Sequence, residues 1–286
     1  MKKNLKTNLI WLAIIAVVYA ILSALIVAGI INAFVAQIIT QIGINLIVAV
    51  GLNLVIGFTG QFSFGSAGFM AIGAYTSAIV TARMAPTWGT IFLSMLIGAI
   101  IAGIVAVIVG YPTLRLKGDY LAIATLGVSE IIRILIMNGG DLTNGAAGLS
   151  GIILFTDWGM TFIFAVVIII LILNFINSPS GRATLSVRED EIASESMGVN
   201  VTRVIVIAFT LGAMVTAIAG SLYAGFIGTV TPKDFTWMKS VDALIIVVLG
   251  GLGSITGTVI AAIILGLLNM FLQDFGAIRM IIYSLV

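Results

Sequence analysis

From Leu9 to Ile31 the chain runs for about 23 residues without a charged side chain, and about 20 apolar residues are enough for a helix to cross the hydrocarbon core of a bilayer. The run exceeds the roughly 7 to 15 residues of a signal-peptide core, so it is expected to remain as a first span. Further apolar runs follow over 33–57, up to about Ala82, over 90–110, from Tyr120, and over 160–177, 204–227 and 241–272. This pattern constrains the fold more than any motif, because backbone N–H and C=O groups in lipid must be satisfied within protein. The expectation is an all-α polytopic membrane protein of about 8 to 10 transmembrane segments, forming a single transmembrane domain over residues 1–286. A content of 61% hydrophobic and 8% charged residues lies outside globular composition and agrees with it.

The composition also excludes function classes. With no cysteine and no histidine, thiol catalysis, Ser-His and Cys-His nucleophiles and the HExxH zinc site are all unavailable. A net charge of +2 is too small to suggest nucleic-acid binding. No cofactor or metal site is expected, and no GxxxxGK[ST] loop is present to bind ATP. The run GGLGSITG approaches a dinucleotide fingerprint, but its glycine spacing is wrong and it sits inside an apolar span.

Within the apolar runs the polar residues fall into patterns. Gln37, Gln41 and Asn45 recur at i+4, with Asn53 two steps further along the row. Four amides on one row cannot comfortably face lipid; they bond to neighbouring helices or line a polar path. The stretch GFTGQFSFGSAGF, residues 57–69, mixes glycine with hydroxyl residues and interrupts the helix. GGLGS at 250–254 does the same to a run too long for one straight crossing. Paired glycine-broken spans are a sequence pointer to a transport pathway. A route is therefore expected between the two breaks, near Gln61, Ser63 and Ser66 on one side and Ser254 and Thr256 on the other, with Gln41 and Asn45 nearby. Two stripes read differently: Ser94, Gly98, Ala102, Ala106 and Gly110, and Ala208, Gly212, Thr216, Gly220, Ala224 and Gly228, place a small residue at every fourth position and predict close helix packing. Glu130 and Arg133 share one helix face inside a span, where they form an internal ion pair or contact a zwitterionic solute.

The longest soluble-looking segment is 178–203, SPSGRATLSVREDEIASESMGVNVTR, with three of the 13 basic and four of the 11 acidic residues. A short helix is expected over 188–197, with Asp190, Glu191, Ser194 and Glu195 on one face, Ile192, Ala193, Ser196 and Met197 on the other, and Gly198 as its stop. On residues alone the segment is a solvated loop or a docking site. The run GRATLSVREDEIASESMGVNVTR, together with GLNLVIGFTGQFSFGSAGFMAIGAY, GDYLAIATLGVSEIIRIL and VVLGGLGSITG, resembles LivM/LivH-type permeases, the membrane subunits of branched-chain amino-acid ABC importers, and most closely the LivM type. The resemblance covers roughly residues 45–280. It departs from the general importer motif, Glu-Ala-Ala then Gly, because Ile192, Ala193 and Ser194 precede Gly198.

The resemblance implies a permease moving branched-chain or related small amino acids into the cytoplasm of a bacterium or archaeon. The permease would not itself be an enzyme; two cytoplasmic ATPase subunits, a second related permease and an extracytoplasmic solute-binding protein would complete the system. The loop would couple to the ATPase through Arg188, Glu189, Asp190, Glu191, Glu195 and Gly198. Relatives are thought to carry urea, other amino acids and nucleosides, so the solute is less constrained than the family. The rival is a secondary transporter or channel, which would need ion-coupling groups of its own; only Glu130 stands mid-span, with Asp242 near a span end. Counting crossings from a cytoplasmic N-terminus leaves Lys2, Lys3, Lys6, Arg115, Lys117, Arg182, Arg188 and Arg203 inside and Arg83, Lys233 and Lys239 outside, in keeping with the positive-inside rule. The last apolar run, from Met280 to Val286, is well short of a crossing, whereas resembling permeases continue to a polar tail, so a truncated C-terminus is expected.

Overall fold

The computed structural model describes residues 2–29, 31–84, 87–114, 116 and 118–271, with side chains from Ile15 onward. Helix α1 (Lys2–Val27) leads into α2 (Ala33–Thr59), α3 (Ser66–Arg83), α4 (Trp88–Thr113) and α5 (Asp119–Met137). After a loop come α6 (Trp158–Asn177), α7 (Pro179–Glu189), α8 (Glu191–Ser196), α9 (Val201–Ile227), α10 (Trp237–Gly250) and α11 (Ile255–Phe271). Side chains set several boundaries by satisfying orphan N–H groups of the first turn. Asn32 accepts from Val35 N at 3.0 Å, Asp157 from Met160 N at 2.7 Å, and Asn200 from Arg203 N at 3.0 Å. Gly60 (φ 73°) and Gly228 (φ 77°) close α2 and α9 in the left-handed conformation.

Helix α9 is the hub, packed on α2, α3 and α4. Its stripe works as the i+4 spacing predicts. A methyl group built on Gly220 would strike the Met70 carbonyl, and one on Gly73 the Ala217 carbonyl, so these backbones touch without side chains between them. The α4 stripe is buried along its length, with Gly98 against Gly73 and Gly110 against Phe209. Helix α2 is enclosed continuously from Leu46 to Thr59, as befits a helix that is apolar all round. Helix α5 buries only the face carrying Leu121, Thr125, Ser129 and Ile132.

Among the described residues the fold is all-α apart from a two-residue antiparallel ladder between β1 (Leu149–Ser150) and β2 (Thr229–Val230), which joins the loops after α5 and α9. Among the described residues five helices are long and apolar enough to cross a membrane, or six if α10 and α11, bent by 120°, count as one broken span. That is fewer than the sequence expectation. Helix α3 is the instructive case: small and polar residues lower its hydropathy, and protein encloses most of it, so it does not need a lipid-compatible surface. Arg115, Lys117, Arg279 and the chain end lie outside the described residues, as do the side chains of Lys2, Lys3 and Lys6.

Candidate functional site

Two breaks in the helical framework meet at one place. Beyond Gly60 the chain runs without regular structure to Gly65 before α3 begins, and the second break turns through Gly251 (φ 90°) and Gly253 (φ 81°) between α10 and α11. Asn53 of α2 bridges them. Its Nδ2 donates to Ser254 O at 3.1 Å and Thr258 Oγ1 at 2.7 Å, and its Oδ1 accepts from Gly253 N at 2.9 Å. Arg188 Nη1 donates to Gly57 O at 2.7 Å at the same junction. Further along the first break, Ser240 Oγ donates to Phe64 O at 2.8 Å and accepts from Ala67 N at 2.9 Å, while Phe64 N donates to Thr125 Oγ1 at 3.0 Å. Backbone groups released by the breaks thus find side-chain partners on α2, α5, α7 and α10, the condition for irregular backbone at membrane depth.

The residues expected along a route do not converge on one cavity. Ser63 and Ser66 are buried and line a small void with Gly51, Val55, Phe209 and Thr216. Ser63 Oγ accepts from Gly65 N at 3.2 Å, whereas the buried Ser66 Oγ has no protein partner. Gln61 is half-buried beside this break, its N–H pointing to Thr59 Oγ1 at 3.3 Å. Ser254 and Thr256 lie 3.3 Å apart through their hydroxyls on the other side of α2, because Gly51 and Val55 face α9 while Asn53 and Gly57 face the α10–α11 turn. The amide row divides as well: Asn53 is fully buried, Asn45 lines a second cleft with Lys239 and Asp242, and Gln37 and Gln41 are exposed.

Glu130 and Arg133 are brought together on α5, Oε2 to Nε at 2.7 Å, and both side chains are about three-quarters covered. Lys239, which the sequence puts among the external charges, lies within α10 with its Nζ 5.5 Å from the Tyr223 ring centre.

The soluble segment differs from the single helix expected over 188–197. Residues 179–189 form α7, and α8 is a separate turn and a half from Glu191 to Ser196. The cause is Asp190, which takes an extended conformation (φ −155°) and caps α8, its Oδ1 accepting from Ala193 N at 2.9 Å. Gly198 (φ 86°) ends α8 as expected: Gly198 N reaches Glu195 O at 2.9 Å and Val199 N reaches Ser194 O at 3.1 Å. Faces also differ from the expectation. Ser194 turns inward, and Ile192 and Met197 stand 77% and 86% exposed, with Glu189 and Glu195 also outside. Arg188, partly exposed, reaches back to Gly57 O.

Interlocked broken spans, in an otherwise apolar helical bundle with a short exposed helix at the end where the breaks meet, are the arrangement expected of a membrane transport subunit. The chain belongs to the permease-component family of branched-chain amino acid transport systems, whose description, "Branched-chain amino acid transport system / permease component", matches residues 34–286. It is 35% identical over 260 residues to the high-affinity branched-chain amino acid transport system permease protein LivM of Salmonella typhimurium, covering 79% of this chain and 60% of that protein. The LivM protein of Escherichia coli K12 is 36% identical over the same shares. The LivH permease protein of Salmonella typhimurium is 30% identical over 240 residues, 73% of this chain and 75% of LivH. The chain thus spans about 60% of the length of the LivM proteins it matches. No solved structure matches it.

Proposed function

We propose that this chain is the permease subunit of an ABC importer that moves branched-chain or related small amino acids into the cytoplasm. It would work in a bacterial or archaeal cytoplasmic membrane with its N-terminus inside. A pair of cytoplasmic ATPase subunits would dock on the segment 178–203, the residues 1–286 otherwise forming one transmembrane domain. The observation that carries the docking is α8 with its two flanks: Ile192 and the following Met197 stand exposed, with Glu195 and, at the end of α7, Glu189 around them, an apolar centre with an acidic rim.

Other partners follow from similar reasoning. Gln37, exposed on an apolar helix, suits the face of a second related permease better than lipid, because an unsatisfied amide in hydrocarbon is costly. An extracytoplasmic binding protein would deliver the solute at the end where β1 pairs with β2. The opposite end holds α7, α8 and the C-terminus of α2, linked by the Arg188–Gly57 bond, which supports the crossing count that puts 178–203 inside. With α1, α3 and the bent pair included, about eight segments would lie in the membrane, the lower end of the sequence expectation. The solute would pass near Gln61, Ser63, Ser66, Ser254 and Thr256, with Gln41 and Asn45 beside the entrance and exchangeable hydroxyl and backbone contacts replacing its water.

Reversing Glu191 and Glu195 together to Lys tests the docking. The permease should still insert, and solute-stimulated ATP hydrolysis by the reconstituted complex should be abolished. Normal stimulated hydrolysis in the double variant would falsify the docking, and Glu195→Lys alone separates a partner surface from a change within the chain, since an exposed charge that meets no partner is worth about 1 kcal/mol or less.

A further inference from the structure

Arg188 stands three residues before α8 begins, among carboxylates, yet its Nη1 spends its hydrogen bond on Gly57 O at 2.7 Å, and the side chain is only 35% exposed. Its Nε keeps only a loose 3.9 Å contact with Glu189. The Gly57 carbonyl is one of the last four of α2, which have no N–H ahead of them in the helix to accept from. Helix α2 has no basic residue in its own last turn, so the cation that complements its negative end comes from α7.

The surroundings of the guanidinium matter as much as its bond. A methyl group built on Gly253 would fall 2.5 Å from Nη1, and one on Gly60 would lie 3.6 Å from Arg188 Cγ. A methyl on Gly57 would collide with Asn53 and Gly253. Gly57 leaves room for the second break to come against α2, Gly60 lies in ordinary contact distance of Arg188, and the missing side chain at Gly253 opens the notch that the guanidinium occupies. The first two belong to one helix break and the third to the other, and Asn53 fastens the second break to α2 through Gly253, Ser254 and Thr258. A displacement of α7 reaches both breaks through one side chain.

We propose that Arg188 is a positioning residue that carries movement of the α7–α8 segment to the junction of the two broken spans, linking the ATPase cycle to the opening of the route. The inference rests on α8 being the ATPase docking site. A bidentate-capable, charge-assisted donor suits a contact that must hold under displacement, and lysine lacks its planar fork. A purely structural helix cap predicts otherwise: its loss would lower thermal stability and leave the solute carried per ATP unchanged.

The test compares Arg188→Met and Arg188→Lys in the complete complex, reconstituted in proteoliposomes with ATPase subunits and binding protein. Copurification of the ATPase reports docking separately from coupling, so a failure of α8 as the docking site shows as ATPase retained, with normal stimulated hydrolysis, in the Glu191/Glu195 double variant, whatever Arg188→Met does. For Arg188→Met the solute moved per ATP should fall roughly tenfold, the size expected for one charge-assisted hydrogen bond, with partial recovery in Arg188→Lys. An unchanged ratio in Arg188→Met overturns the inference. Should that variant not assemble, spin labels on Glu189→Cys and Thr256→Cys in a chain that keeps Arg188 decide the matter. Their separation should stay fixed across nucleotide states while the distance from Glu189→Cys to Ile108→Cys on α4 changes. A Glu189–Thr256 separation that shifts with nucleotide, or no movement of either pair, overturns it.

Discussion

Along α4 and α9 small residues stand at every fourth position and the helices run unbroken, whereas between α2 and α3, and between α10 and α11, glycines stand at irregular spacing and the helices stop. Both regions bring backbones into contact. In the striped helices the contact is between surfaces whose N–H and C=O groups are already bonded within their own helix, as where Gly220 meets Met70 and Gly73 meets Ala217. At the breaks the backbone groups are free, and each must be met by a side chain: Asn53 at Gly253, Arg188 at Gly57, Ser240 at Phe64 and Ala67. Regular glycine spacing therefore produces rigid packing with no polar demand. Irregular spacing with hydroxyl neighbours produces a junction held by a handful of separable hydrogen bonds, the kind of place that can rearrange.

The comparison can be broken most forcefully in the stripes. Gly220→Leu drives a side chain into the Met70 carbonyl and should cost about 3 kcal/mol or more, read as a lower thermal midpoint in detergent. An unaltered midpoint would mean that α3 and α9 do not make the close contact. At the breaks the effect should be smaller: Asn53→Leu leaves the Gly253 N–H without its acceptor, at about 2 kcal/mol, and should reduce transport more than it reduces stability. Equal losses in both would make the junction ordinary packing. The smallest effect sharpens the contrast. The native chain has no cysteine, so single cysteines at Ser63, Ser66, Ser254 and Thr256 can be labelled without background and compared with one at Ala106 in the α4 stripe. Reactivity at the break positions should change modestly with the nucleotide state of the ATPase while Ala106→Cys stays inert. Break positions as unreactive as Ala106→Cys in every state would put the route elsewhere.

Periodic features were legible in the sequence, and contacts between distant segments were not. The stripes follow from i+4 spacing, and the breaks from glycine and hydroxyl clusters inside apolar runs. The amide row shares a face without sharing an environment: a helix of this length passes from an exposed end at Gln37 and Gln41 to full enclosure at Asn53, which bonds to the neighbouring α11. The partners of Asn53 and Arg188 lie across the fold from them in sequence, and no local pattern encodes such pairs. The division of 178–203 was within reach. Asp190 is a preferred N-cap residue directly before Glu191, but its place on an apparent polar helix face hid that role.

Asp190 closes α7 through its N–H to Ser186 O and opens α8 through its C=O, which accepts from Ser194 N, both at 3.0 Å. The two helices share that residue with no spacer between them. A push on α8 then arrives at Arg188 without slack, since no loose chain is available to absorb it. Its direction is less constrained: rotation about the backbone bonds of Asp190 would swing α8 like a ball on a tow bar, so a partner seated on α8 could turn through an angle while Arg188 keeps its bond to Gly57.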